Sequence, residues 1–176
     1  MKLSRYILIL LVTLASCAYA HTSEFAAGRA SYSEGEFRQA VVHFQRALQD
    51  EPRDAACNYW LGRSYETLAD IAIPFGGKYR SLARTYLTKA LELEPNRPEY
   101  RRELFDFLVD SDGFSHSERL QAMGILLASA ETDLDYDYMR SRFDQACKLN
   151  SSANGRVSKL FLALPQATFR IATAGQ

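Results

Sequence analysis

The sequence predicts an all-α protein built from antiparallel helix pairs, and three observations carry that expectation. Small and large residues recur at matching intervals, Ala40, Phe44, Ala47 and Pro52 in a first stretch and Ala83, Leu87, Ala90 and Pro95 in a second, each set preceded by a glycine, Gly28 and, nine positions further off, Gly62. Around them, apolar residues fall at i, i+3, i+4 and i+7, the spacing of one helix face. No strand-like alternation longer than a few residues competes. Composition agrees, since of 176 residues 47% are hydrophobic and 24% charged, with 21 basic against 21 acidic side chains. That balance excludes disorder, collagen-like repeats and a multi-span membrane protein. Even charge with no basic block argues against recruitment to nucleic acid or an anionic surface through global charge.

Residues 1–20 open with Lys2 and Arg5, continue through the apolar run 6–15 and reach small residues at Ala18 and Ala20. A secretory signal peptide is expected there. The run is roughly half the length that a membrane-crossing helix needs. Two processing sites compete. Cleavage after Ala20 gives a soluble exported protein, periplasmic or secreted. The string Leu14-Ala15-Ser16-Cys17 also resembles the bacterial lipobox, whose cysteine is lipidated, and Cys17 would then anchor an outer-membrane lipoprotein. Soluble export is preferred, because the first helix begins within a few residues of Cys17 and leaves almost no flexible tether. Loss of the segment removes two positive charges and no acid, leaving a mildly acidic mature chain. Export would also let Cys57 and Cys147 oxidise, although the pair, 90 positions apart, reads rather as two small buried helix residues.

Within residues 21–54, small Gly28, Ala40 and Ala47 let two helices approach, Phe37, Phe44 and Leu48 fill the space between them, and Pro52 ends the second. Residues 32–36 supply the turn. Within 55–97 the same set returns with Leu61, Gly62, Tyr65, Ala83, Leu87, Ala90, Leu91 and Pro95, enlarged by nine residues around 68–78. The expectation is a first helix longer by about two turns, a break at Pro74-Phe75-Gly76-Gly77, and a second helix from about Tyr79. Degenerate helices follow over 98–149: one through Tyr100, Leu104, Phe105 and Leu108, one capped by Ser115 with Glu118, and one from Tyr138 to Leu149. After the linker 151–155, Val157, Leu160, Phe161 and Leu164 predict a C-terminal capping helix over 156–164, with a tail at 165–176.

Residues 21–97 resemble two tetratricopeptide repeats, the string Tyr59-Trp60-Leu61-Gly62-Arg63-Ser64-Tyr65 most closely. The resemblance implies a right-handed superhelix of antiparallel helix pairs, an α-solenoid over residues 21–164. It also implies a concave groove lined by the first helix of each pair. Carried across position by position, the groove would present Phe25, Arg29 and Tyr32 from the first repeat, Tyr59, Arg63 and Glu66 from the second, and Arg102 and Asp106 from the third pair. Arg29 and Arg63 each stand one residue after the repeat glycine. Arginine pairs bidentately with carboxylates, and aromatics bury area at little entropic loss, so the set suits a protein partner. The family's carboxylate clamp of Lys and Asn is not present.

Catalytic and metal motifs are weak. His21, His43 and His116 share no ligand spacing and no Cys-x-x-Cys pair exists, so neither a metal nor a cofactor is expected. Gly76-Gly77-Lys78 fails as a phosphate loop, with Ala72 and Tyr79 where Gly and Ser or Thr belong. The acidic run from Asp133 to Asp137 lacks the glycine of a calcium loop. Asn150-Ser151-Ser152 fits a glycosylation sequon. The expected function is therefore a non-enzymatic, exported scaffold that docks a protein partner in the bacterial cell envelope. The alternative is a small-ligand-binding or transporter-accessory protein with the insertion as a pocket wall, favoured if Ile71, Ile73 and Phe75 are exposed. An enzyme would need a buried cluster of titratable groups with perturbed pKa values.

Overall fold

A computed structural model describes residues 23–110, 115–129 and 135–150, with only the backbone of Asn150. The signal-like segment 1–20 with Cys17, His21, Asp133 and Leu134 of the acidic run, the linker 151–155, the capping helix expected at 156–164 and the tail 165–176 lie outside the described residues. Every regular element among the described residues is an α-helix, and none is long and apolar enough to cross a membrane. In chain order they are α1 over 23–33, α2 Phe37–Asp50, α3 Ala55–Ile71, α4 Gly77–Leu93, α5 Pro98–Val109, α6 His116–Ser129 and α7 Tyr136–Asn150. The chain forms two compact units that meet in sequence between Phe107 and Leu108.

In the first unit, α1 and α2 are joined by a turn that sequence chemistry dictates. Gly35 adopts φ +82°, the left-handed region that a side chain disfavours. The Glu36 amide then donates to the Ser31 carbonyl and the Gly35 amide to that of Tyr32, which closes the end of α1. The two helices touch where the sequence places its small residue. A Cβ on Gly28 would lie 2.6 Å from the Phe44 ring. In α3 and α4 the same contact recurs between Gly62 and Leu87, with a Cβ 2.8 Å from Leu87 Cγ. Ala40, Phe44, Ala47, Ala83 and Ala90 are fully buried along these seams. Between α2 and α3, the Cys57 thiol donates to the Phe44 carbonyl at 3.3 Å and Gln45 Nε2 donates to the Tyr65 hydroxyl at 2.9 Å. Adjacent helices thus pack as pairs.

The nine-residue enlargement is shared rather than added to one helix. Measured in the repeat frame, α3 runs about one turn beyond α1, and α4 starts at Gly77, about one turn earlier than α2, not at Tyr79. Two local causes account for this. Pro74 disfavours helical backbone at Ile73 and so ends α3. Gly76 sits against α3 so closely that a Cβ would meet the Ala69 carbonyl oxygen at 2.2 Å, and its helical φ of −68° leads directly into α4. Helix starts elsewhere follow capping chemistry. Asp54 accepts from the Cys57 amide at 3.0 Å before α3, and Pro98 opens α5.

The second unit holds the end of α5 with α6 and α7. The expected capping box forms in full: the Ser115 amide donates to Glu118 at 2.7 Å, and the Glu118 amide donates to Ser115 Oγ at 3.3 Å. Its buried apolar residues include Ala122, Ile125 and Leu126 of α6 and Met139, Phe143 and Ala146 of α7, with Arg142 paired to Asp110. Cys57 and Cys147 are both free thiols.

Candidate functional site

Three helices of the first unit, α1, α3 and α5, bring aromatic, arginine and glutamate side chains into one cluster. Each is the first helix of its pair in the sequence pattern. At its centre is Trp60, the chain's one tryptophan. The Arg29 guanidinium lies 4.0 Å over its ring, and Tyr32 and Tyr59 meet it edge-on at 5.1 and 5.6 Å. Arg63, one turn further along α3, sits 5.8 to 5.9 Å from the Tyr32, Tyr59 and Trp60 rings. Its Nε comes within 2.9 Å of Glu103 Oε1, with the N–H not directed at the oxygen. The Tyr59 hydroxyl donates to Glu103 Oε2 at 3.4 Å, and the Tyr59 ring stacks on Tyr100 at 4.7 Å.

The electrostatics follow from partial burial. Desolvation pushes the Glu66 carboxyl up to about 8, reinforced by the charge of Glu103 and a hydrogen bond with it; Arg63 pulls the other way and Asp70 adds to the rise. Protonated Glu66 therefore donates to the Glu103 carboxylate, which also faces Arg63 and Tyr59. Burial, followed by Glu103, raises the Tyr59 hydroxyl to about 12. Burial lowers the Arg63 guanidinium, and Glu103 with Tyr32 and Tyr59 more than offsets that. Arg29 differs from Arg63 in being exposed, and among the described residues its guanidinium rests on the Trp60 ring. An exposed, flat guanidinium seated on an aromatic ring is suited to a carboxylate or phosphate.

Five of the eight residues expected in the groove meet in this cluster: Arg29, Tyr32, Tyr59, Arg63 and Glu66. Phe25 instead turns into the α1–α2 seam, 5.8 Å from the Phe44 ring. Arg102 and Asp106 pair with each other across one helical turn at 3.8 Å. The α5 residues that reach the cluster are Tyr100 and Glu103, which sequence reasoning missed together with Trp60. A signal existed for Trp60 and Glu103, since each stands eight residues after its repeat proline, Pro52 and Pro95. Counting from the prolines also shows that Arg29 on Trp60 and Arg63 on Glu103 are the same contact in successive steps, the nine-residue enlargement allowed for.

Elsewhere, His43 Nδ1 lies 2.7 Å from Glu24 Oε2 and ties α2 to α1. No cluster of three or more potential metal ligands occurs among the described residues. No protein-family model matches the chain, and no curated protein matches it.

Proposed function

We propose that this chain is an exported, non-enzymatic scaffold of tetratricopeptide type, with its helix pairs stacked as a right-handed solenoid, that docks an acidic segment of a protein partner in the bacterial cell envelope. The recurrence of one contact, Arg29 on Trp60 and then Arg63 on Glu103, carries this reading, because helix pairs stacked in one register would bring equivalent residues to equivalent neighbours. The glycine seams at Gly28 and Gly62 support it. The signal-like composition of residues 1–20 supports export.

Arg29 is the recognition group and Arg63 a positioning one. Arg63 is already engaged by Glu103, whereas Arg29 is exposed on an aromatic seat. The test is quantitative co-purification from the native envelope with wild type and Arg29→Glu, a change at an exposed position that leaves the ion pair intact. One protein enriched by wild type and depleted about fivefold or more by the variant is the expected result. Equal enrichment by both forms overturns the assignment.

A second reading is enzymatic, favoured by the raised pKa of Glu66 beside the Glu103 carboxylate, a pairing that suits a general acid and its counter-charge. Partner capture that survives Glu66→Gln but fails with Arg29→Glu separates docking from that chemistry.

A further inference from the structure

The turn between α3 and α4 carries a second surface, independent of the aromatic cluster. Ile71, Ile73 and Phe75 are 67%, 78% and 86% exposed, and residues 71–77 contain no charged side chain. Scattered apolar residues are ordinary on a surface, but three large ones within five positions of a helix–helix turn are a patch. We propose that this tip inserts into the interfacial layer of a lipid bilayer.

Size favours lipid over a second protein surface. The three side chains offer on the order of 400 Å² of apolar area, about half of the ~800 Å² per partner that a stable protein interface buries. A bilayer makes no such demand, because its fluid interface shapes itself around protruding side chains. Part of the tip backbone already meets the demand of an apolar layer that polar groups be satisfied within the chain. Ile71 lies in the last turn of α3, the Ala72 amide donates to the Leu68 carbonyl, Pro74 has no amide hydrogen, and the Phe75 amide donates to the Ala72 carbonyl. The tip is also firmly seated, because Gly76 presses on the Ala69 carbonyl and admits no side chain. At its base stand exposed Lys78 on α4 and exposed Asp70 on α3. Lys78 is placed to reach lipid phosphates while its stem stays apolar. Asp70 balances that charge, so apolar burial dominates the attraction.

The experiment uses the full chain and a reporter confined to the tip. Phe75→Trp places an indole there, and the wild type, whose one tryptophan is Trp60, reports any background. Vesicles of phosphatidylcholine, with and without phosphatidylglycerol, are prepared with plain or brominated acyl chains. Bromine quenches only an indole that enters the layer, so binding through residues 1–20 alone leaves the tip signal unchanged. The expected result is about a twofold or greater loss of the Phe75→Trp emission specific to brominated lipid, abolished by adding Ile71→Ser and Ile73→Ser. Equal emission from plain and brominated vesicles of both compositions overturns the proposal. So does a lipid-free, concentration-dependent dimer that the two serine substitutions dissolve, which would assign the tip to a second copy of the chain.

Discussion

Gly28 and Gly62 show how much one missing methyl group decides. Each lets a neighbouring helix come so close that a Cβ would overlap a large buried side chain, and at Gly62 the Leu87 backbone nitrogen is also only 3.0 Å away. Gly28→Ala and Gly62→Ala should each lower stability by about 1 to 3 kcal/mol in urea denaturation, the usual result of overpacking. Gly77→Ala is the control, with nothing within 4 Å of the added atom, and should leave the midpoint unchanged or raise it. Glu66 makes a second prediction. Its carboxyl ordinarily titrates at 4.5 and is held at about 8 in the fold. Between those values the unfolded chain has released a proton that the folded chain keeps, so this group favours folding most below pH 4.5 and its contribution declines as pH rises towards 8. Wild type should therefore lose more stability than Glu66→Gln between pH 5 and 8, as read from paired urea midpoints.

At the scale of elements, helix existence was legible in the sequence and helix ends were only partly so. The turn at 32–36, the break through Pro74-Phe75-Gly76, with Gly77 already in α4, and the capping box at Ser115 and Glu118 fall where local chemistry puts them. Capping should be measurable: Asp54→Ala removes the acceptor for the Cys57 amide and should lower stability by about 1 kcal/mol, with faster hydrogen exchange in the first turn of α3. The enlarged repeat was read less well. Spacing alone counts nine extra residues, but dividing them between α3 and α4 depended on Gly76 finding the Ala69 carbonyl, a contact across the turn. The third pair shows the same limit. In α5 the place of the repeat glycine is taken by fully buried Phe105, and the face that meets α3 carries Tyr100 and Glu103 rather than Arg102 and Asp106.

For the molecule as a whole, the first unit is held by seams that a solvent-borne reagent can report. Cys57 is completely buried, its thiol donating to Phe44, and desolvation with the nearby Asp54 charge pushes its pKa to about 12. Alkylation of Cys57 at pH 8 should therefore track opening of the first unit and slow in proportion to its stability, followed by mass spectrometry across a urea series. Cys147, only half-buried, should react faster than Cys57 under native conditions. The sequence by itself determined that this chain is helical, where its helices pair, and which small residues line the seams, because those features rest on spacing within one or two turns. Tertiary structure alone decided that Arg63 is engaged by a carboxylate 40 positions away while Arg29 stays exposed over the Trp60 ring. The reason is physical: a side chain's neighbours across a helix interface depend on the register of two helices, which many distant packing contacts set together.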